Sequence, residues 1–240
     1  MQKLVVIGGS NAFWEIYELI KDINYAQKRY EIVGILDDNL SLQGKRYNNI
    51  VVEGPIEKAK DFKDDIKFIF AIGTYKTRLI RAQILDRLKI PDDRFETLIH
   101  PSAKVFSTSL LKQGCIVHYG TVIFNHTIID PFAVISANCV IAGENYFGKG
   151  VLLGSNVVTT KNVKIGSFSH IGSSTSIREN IEIEPGVQVG MGSLVLKNIK
   201  AGFFAFGNPL RMYEQLEVPQ NIIKEWNINK EISKNQWELR

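Results

Sequence analysis

His126 and Glu144 lie 18 residues apart. They are the side chains in this sequence whose types and spacing best fit acid–base chemistry. Imidazole titrates near neutral pH, so histidine is a common general base. A neighbouring carboxylate can orient the ring. The pair therefore predicts removal of a proton from a reacting nucleophile, provided that the fold brings these two positions together.

A six-residue repeat over residues 103–195 gives that spacing its meaning. Stepping by six from Val105 to Val195 meets sixteen positions, of which fifteen are aliphatic or Phe and only Thr159 is polar. Most residues two positions earlier are small or β-branched. Neither a helix nor a flat strand has this period. The pattern predicts a parallel β-helix of triangular section, in which each hexapeptide supplies one strand and one corner. Such prisms are left-handed in the known examples.

Three hexapeptides make one coil of the prism, so His126 and Glu144 are expected to stack at one corner of adjacent coils. Cys115 and Cys139 both fall in the series of small residues but on different faces, which predicts two buried thiols and no disulfide. Glycines that directly follow core positions are expected to serve turns with unusual φ angles; they are Gly148, Gly154, Gly166, Gly172 and Gly190.

Residues 1–98 predict a different architecture, a Rossmann-like α/β domain. Strand patterns at residues 3–7, 30–36, 50–52 and 68–73 alternate with helical patterns at 12–23 and 77–88. Strands that alternate with helices form parallel sheets, which bind ligands beyond the carboxyl ends of the strands.

The candidate nucleotide site of this domain lies at those strand ends. The turn after the first strand can bring backbone N–H groups close to an anion, and the residues of the second strand end can accept hydrogen bonds from a ribose or a base. The candidate residues are Gly8, Gly9, Ser10, Asn11, Asp37 and Asp38. The full dinucleotide fingerprint is missing, so NAD binding is weakly supported. The alternative is a turn and a capping acid without a ligand.

Composition agrees with two architectures and excludes several classes of protein. The chain has 240 residues, 45% of them apolar, and a net charge of +4. Residues 1–100 carry 31 charged side chains, and residues 101–200 carry only 13. No apolar run approaches the ~20 residues of a membrane helix, no signal peptide is evident, and no basic patch predicts nucleic-acid binding. A cytoplasmic protein is expected.

Several segments resemble one family, the sugar acyltransferases typified by the bacillosamine, perosamine and sialic acid acetyltransferases. The segments are Ile35–Asp38, Ala71–Gly73 with Arg78, Ile99–Ala103 before the repeats, and Gly207–Met212 after them. The resemblance implies acyl transfer, usually from acetyl-CoA, to an amino or hydroxyl group of a nucleotide sugar in surface glycan biosynthesis. It implies that Gly73 and Arg78 help to bind the substrate, and that CoA lies between the prisms of a homotrimer.

The chain departs from the family at the catalytic base. By the resemblance, the usual His-Glu pair falls at Gly143-Glu144, so the acid is kept and the histidine is glycine. The backbone N–H of Lys161 would be the oxyanion donor. Three alternatives stay open. His126 replaces the base; the acceptor amine needs no protein base and Glu144 binds its ammonium group; or the site has lost transfer activity or uses another group.

Transfer to an amino sugar is the leading functional hypothesis, with residues 1–98 as the nucleotide-sugar domain and 99–212 as the acyltransferase prism. The alternatives are O-acetylation of a sialic-acid-like sugar and a non-catalytic trimeric nucleotide-sugar binder. His100 and His118 are also one coil apart, but a zinc site of the prism type needs a third histidine and a closer pair, so no metal is expected. Residues 213–240 predict a helix that packs on a neighbouring subunit, or else a partner-binding tail.

Overall fold

The N-terminal part of the chain is a Rossmann-like α/β domain. The computed structural model describes residues 1–74 and 76–238, with side chains up to residue 233. The elements of the domain are β1 (Gln2–Ile7), α1 (Asn11–Ala26), β2 (Tyr30–Leu36), β3 (Arg46–Tyr47), β4 (Ile50–Gly54), β5 (Lys67–Phe70) and α2 (Arg78–Leu88). The strand order is β3-β4-β2-β1-β5, and all neighbours are parallel except β3 and β4. Apolar clusters cover both faces of this sheet, as the unbroken apolar strands predict.

The middle of the chain is a parallel β-helix, so the predicted architecture is confirmed. Its strands are two residues long in the coils and form three sheets. The domain-facing sheet has β6 (Leu98–Ile99), β9 (Ile116–Val117), β12 (Val134–Ile135), β15 (Leu152–Leu153), β18 (His170–Ile171), β21 (Gln188–Val189), β23 (Phe203–Phe206) and β24 (Arg211–Glu214). The open sheet has β7 (Lys104–Val105), β10 (Val122–Ile123), β13 (Val140–Ile141), β16 (Val158–Thr159), β19 (Ser176–Ile177) and β22 (Leu194–Val195). The helix-facing sheet has β8 (Leu110–Leu111), β11 (Ile128–Ile129), β14 (Tyr146–Phe147), β17 (Lys164–Ile165) and β20 (Glu182–Ile183).

Each coil strand pairs with the strand at the same position of the next coil, so the two repeat series become vertical columns inside the prism. The large residue of each hexapeptide fills the core, and the small residue lies beside a corner. Small polar side chains donate hydrogen bonds to backbone carbonyls 15 residues later in the chain, as Thr121 Oγ1 does to Ser136 O at 2.9 Å. Thr159, the polar exception in the core series, accepts a hydrogen bond from Asn145 Nδ2 at 2.9 Å. The buried side chains of Thr159 and Asn145 are therefore hydrogen-bonded to each other, as buried polar groups generally are.

Both cysteines are free and buried, as predicted. Their Sγ atoms lie near carbonyl oxygens of Asp130 and Gly154, at 3.3 Å for Cys115 and 3.2 Å for Cys139. Burial raises the pKa of Cys115 to about 12 and that of Cys139 to about 11. Thiols that stay protonated are unreactive, so these residues are part of the packing.

The prediction about glycine φ angles was wrong, because the unusual φ falls three residues after each core position. That corner residue is left-handed from Gly114 to Gly192, with φ of 56° at His126 and 62° at Glu144. The glycines directly after core positions have no positive φ. A Cβ at Gly172 would lie 2.4 Å from Met191 N. Those glycines are required because the next coil passes too closely for a side chain.

The C-terminal helix α3 (Gln220–Glu238) covers the helix-facing sheet of its own chain. Trp226 is buried and stacks on Tyr146, with ring centroids 5.1 Å apart. Lys230 Nζ pairs with Glu182 Oε1 at 2.5 Å. We expected this helix to pack on a neighbouring subunit. The structure corrects that expectation for the buried face of the helix, which packs on the prism of its own chain. The side chain of Trp237, which also prompted that expectation, lies outside the described residues.

The proposed limit between residues 98 and 99 falls inside β6, and the proposed limit at residue 212 falls inside β24. The third outer face, the open sheet, has no covering element among the described residues of its own chain. Within the described parts of the chain, no helix is long and apolar enough to cross a membrane.

The close approach of the coils predicts opposite outcomes for two glycine substitutions. Gly172→Ala should destabilise the protein by about 1–3 kcal/mol or more, because its Cβ meets backbone of the next coil. Gly192→Asn should change stability by less than about 0.5 kcal/mol. Gly192 has a φ of 66° and open space around it, and Asn already occupies the equivalent corner at Asn138, Asn156, Asn162 and Asn180. Denaturant unfolding measures both; equal losses would contradict the steric explanation.

Candidate active site between the domain and the prism

The turn between β1 and α1 is built to hold its backbone in one conformation. Gly8 has a φ of 114°, and a Cβ there would lie 3.1 Å from Ile72 Cγ1. The Gly9 N–H donates to Asp37 Oδ2 at 2.7 Å, and the Asn39 N–H donates to Asp37 Oδ1 at 2.8 Å. Asp37 therefore joins the ends of β1 and β2, and its carboxylate can still accept further hydrogen bonds.

The other predicted residues of this turn are exposed at the N-terminus of α1. Ser10 precedes the helix and makes no side-chain capping bond. Asn11 is the first residue of the helix and does not have a positive φ. A helix N-terminus with uncapped N–H groups favours an anion. The geometry fits the predicted phosphate end of a nucleotide site.

Asp38 and Arg78, by contrast, are engaged within the protein. Asp38 accepts a hydrogen bond from the Ile56 N–H at 3.0 Å and pairs with Arg87 at 2.7 Å. Arg78 is buried and donates to Gly186 O at 3.3 Å and to Gln215 Oε1 at 2.7 Å. Burial lowers the pKa of the Arg78 guanidinium. Arg78 ties the domain to the prism, so its assignment to substrate binding is corrected to a role at this contact.

A second buried arginine that the sequence did not single out lies next to Gly73. Arg81 is fully buried, and its Nη2 donates to Phe132 O at 2.5 Å. Its Nε and Nη1 have no hydrogen-bond partner among the described residues. Burial lowers the pKa of Arg81 to about 9. A Cβ at Gly73 would lie 2.8 Å from Nη1, so glycine is required for the arginine to fit.

His126, Gly143, Glu144 and Lys161 lie at the corner between the open and helix-facing sheets, as the repeat predicts. Glu144 stacks one coil beyond His126, with its N–H bonded to Asn125 O at 3.0 Å. Its carboxylate pairs with Lys161 Nζ at 3.0 Å, however, and no hydrogen bond joins it to His126 in the described structure. The Nδ1 atom of His126 is buried without a hydrogen-bond partner among the described residues. The acid-oriented imidazole expected from the spacing is not formed in this chain alone.

The Lys161 backbone fits the role that the resemblance gives it. Among the described residues, its N–H has no hydrogen-bond acceptor, whereas the next N–H, that of Asn162, bonds to Gly143 O at 3.2 Å. A free N–H at an exposed corner is able to receive the oxygen of a reacting carbonyl.

A cavity at the domain–prism contact lies elsewhere and is lined by residues to which the sequence analysis gave no function. It has a volume of about 550 Å³ and lies between α1 and the corner that joins the domain-facing and open sheets. Carboxylates of α1 line one side, and His100, His118 and Tyr119 line the other. The carboxylates are Glu15, Glu18 and Asp22.

A narrower cavity of about 50 Å³ lies beside it. The two cavities share Glu15 and His118 as lining residues, and the narrower one also borders Ala71, Ile72 and Gly73, just after β5. The segment that follows β5 and the prism corner therefore line neighbouring cavities. The spacing of His100 and His118 by one coil was the sequence signal for this corner.

Comparisons with known proteins agree with this division of the chain. Residues 3–87 match the family model of the PglD N-terminal domain. UDP-N-acetylbacillosamine N-acetyltransferase from Bacillus subtilis is 27% identical over 122 residues, which are 49% of this chain and 51% of that protein. The match thus spans about half the length of this curated relative.

Solved structures of similar fold cover most of this chain. A variant of perosamine N-acetyltransferase from Caulobacter crescentus, in complex with CoA and GDP-perosamine, has a TM-score of 0.75 at 20% identity, covering 88% of this chain and 96% of that one. The acetyltransferase domain of PglB from Neisseria gonorrhoeae, in complex with acetyl coenzyme A, has a TM-score of 0.66 at 23% identity, with coverages of 88% and 99%. These likenesses establish the fold.

The domain–prism contact predicts a pH dependence of stability that involves His170. Burial and the charge of Arg78 lower the pKa of His170 from 6.5 to about 4. The unfolded chain therefore takes up a proton first as the pH falls, and stability is lost between pH 6.5 and about 4, on the order of 2–3 kcal/mol. The difference in unfolding free energy between wild type and His170→Gln should shrink across this range. Parallel pH curves for the two proteins would contradict the assignment.

Proposed function

We propose that this protein transfers an acetyl group from acetyl-CoA to the amino group of a nucleotide-linked amino-deoxy sugar, as a step in surface glycan biosynthesis. The observation that carries the proposal is the pair of neighbouring cavities that share Glu15 and His118 and border both Gly73, just after β5, and the prism corner. A nucleotide held at the strand ends would place its sugar against the prism. We propose that the protein acts in the cytoplasm.

The relatives support this choice of reaction. One is a UDP-N-acetylbacillosamine N-acetyltransferase, and the solved structures include complexes with CoA, acetyl coenzyme A and GDP-perosamine. Nucleotide amino sugars and CoA thioesters are therefore the substrate classes that we assign to this chain.

The reaction needs a neutral amine, an oriented thioester and a donor for the developing oxyanion. The amine nitrogen attacks the thioester carbonyl, the C–N bond forms, and the C–S bond breaks to release CoA. The Lys161 N–H supplies the oxyanion donor in this proposal, since it has no acceptor among the described residues and lies at an exposed corner. Asp37 and the N-terminus of α1, with Ser10 and Asn11, hold the nucleotide.

The Glu144–Lys161 ion pair bears on the two proposed roles of that corner. While this ion pair of 3.0 Å persists, the carboxylate of Glu144 is less available to bind a substrate ammonium group or to orient His126. Both partners are partly exposed, so the pair is weak and separable by a ligand. A binder without catalytic activity is the second candidate function, favoured by Gly143 in place of the family histidine.

We propose a homotrimer in which the open sheet contributes to the subunit contact. This face carries apolar side chains that nothing in the described part of its own chain covers. Val122, Val140 and Val158 lie in three successive coils, and Leu194 follows after Ser176. Val140 and Val158 are 40% and 37% exposed. Three stacked apolar side chains on one face are typical of a protein contact surface.

The trimer predicts that charge on the open sheet separates the subunits. Val158→Arg should shift the molar mass from trimer to monomer and lower the acetyl-transfer rate at least tenfold, because CoA loses its binding surface. Light scattering after size exclusion measures the first effect. Tyr25→Arg, at a side chain 96% exposed on α1, is the control and should leave the trimer intact. A wild-type monomer would contradict the proposed assembly.

The activity itself is tested by the release of free CoA thiol. Wild-type protein with acetyl-CoA should release thiol with at least one UDP-, dTDP- or GDP-linked amino sugar, and mass spectrometry should find the N-acetylated product. Turnover only with the matching hydroxyl sugars would replace N-acetylation by O-acetylation. Tight binding of a nucleotide sugar without CoA binding or turnover would leave the non-catalytic binder.

A further inference from the structure

We propose that the cavity between α1 and the prism corner binds the acceptor amine, and that His118 is the base that takes its proton. The inference rests on the proposed acetyl transfer and on the proposed homotrimer. His118 lies at a different corner of its chain from Glu144 and Lys161, so in this inference a neighbouring subunit supplies the oxyanion donor. The inference follows from the arrangement of three carboxylates, one fixed imidazole and one unbonded imidazole around a single cavity.

The charge of the cavity fits a cation. Glu15, Glu18 and Asp22 follow one face of α1 and line the cavity together, and no lysine or arginine is among its described lining residues. Glu18 is paired with Lys21 at 2.9 Å, and Asp22 with His100 at 3.1 Å. Glu15 has no ion-pair partner among the described residues, and it lines both cavities. An ammonium group entering from the nucleotide end would meet this carboxylate first.

The imidazole of His100 is fixed in one tautomer. The Ser102 N–H donates to His100 Nδ1 at 3.0 Å, so Nδ1 is the acceptor nitrogen and carries no proton. The proton of the neutral ring is therefore on Nε2, 3.1 Å from Asp22 Oδ2. Ser102 Oγ also lies 2.8 Å from Nδ1, and accepts the N–H of Gly120. Both ring nitrogens of His100 are occupied, so it supports the corner and is not free to move a proton.

His118 lies one coil beyond His100. Unlike His100, it is not fixed in one tautomer, and its ring nitrogens are not occupied by hydrogen bonds within the described part of the chain. The side chain of His118 lines both cavities. Burial, and then the nearby His100, lower its pKa below the ordinary 6.5. The titratable groups that share the large cavity with it are Glu15, Glu18 and Asp22 of α1 and His100 and Tyr119 of the prism. A neutral, accessible imidazole opposite an anionic wall is suited to accept a proton from a bound ammonium.

The step balances without any further reactant. The acceptor ammonium gives one proton to the free ring nitrogen of His118, and the neutral amine attacks the acetyl-CoA carbonyl. The C–N bond forms and the C–S bond breaks as the tetrahedral intermediate collapses. The second proton of the nitrogen passes to the departing sulfur, so CoA leaves as the thiol, and the imidazolium of His118 returns the first proton to solvent.

His126 meets fewer of these requirements. It lines neither of the two cavities, its Nδ1 is buried without a partner among the described residues, and the nearest candidate acid, Glu144, is paired with Lys161. The positive charge of Lys161 at that corner also opposes an ammonium group. Substitutions of His118 and His126 are therefore expected to change the rate to different extents in the same experiment.

His118→Gln and His126→Gln, compared in the full-length protein with the nucleotide amino sugar that the wild type turns over, test the inference. His118→Gln should lower kcat about 100-fold or more, the usual effect of losing a general base. Its residual rate should rise steadily with pH, because only acceptor already deprotonated reacts. His126→Gln should retain at least a third of the wild-type rate. Thermal unfolding confirms that both variants fold.

A binding measurement separates charge recognition from structural effects. Glu15→Gln should raise the Kd for the amino-sugar nucleotide at least fivefold but leave that for its hydroxyl counterpart unchanged, as seen by calorimetry. Glu31→Gln, at an exposed carboxylate outside both cavities, is the matched control and should change neither. A rise for both ligands would show a merely structural role and overturn the amine site.

The outcomes also distinguish this inference from the function on which it rests. No thiol release by the wild type with any amino-sugar nucleotide overturns both. Wild-type turnover with an unchanged rate in His118→Gln overturns the assignment of His118 alone. If His126→Gln loses turnover and His118→Gln retains it, the base is His126, at the other corner.

Discussion

The hydrogen-bond ladder between coils is the constraint on which the rest of the structure depends. Backbone N–H groups donate to carbonyls of the next coil, as His118 does to Ile135 O at 2.9 Å, and each strand pairs with its equivalent one coil later. Because buried peptide groups must be paired, the repeat admits no insertion. The ladder converts sequence spacing into vertical columns, and it brings coils so close that Gly172 and Gly166 have no room for a side chain.

The α/β domain is held on this prism by two buried arginines. Arg78 and Arg81 leave α2 and donate to the backbone at Gly186 and Phe132, which belong to different coils. A buried guanidinium without such partners would be strongly destabilising, so the contact specifies the position of the domain as well as its attachment. The cavity beside His118 exists because α1 is set against one prism corner at a defined distance.

Periodic features could be predicted from the sequence, whereas individual partners could not. The core columns, the free cysteines and the stacking of Glu144 over His126 follow from a period of six and three hexapeptides per coil. The period does not say which side chains bond, so the capture of Glu144 by Lys161 and of Asp38 by Arg87 was not foreseen. Contacts between parts far apart in sequence decided the rest: Arg78 at Gly186, α3 on its own prism, and α1 facing His118.

The left-handed corners hold information about selection. A residue other than glycine or asparagine at such a φ costs on the order of 1 kcal/mol, so glycine or asparagine would be the default there. Phe132 and Phe168 depart from the default and are buried against the α/β domain and α3. His126, Glu144 and Ser174 depart from it on partly or fully exposed corners without comparable packing. Conformational strain that packing within this chain does not offset marks these three positions as places where contact with a neighbouring subunit is expected.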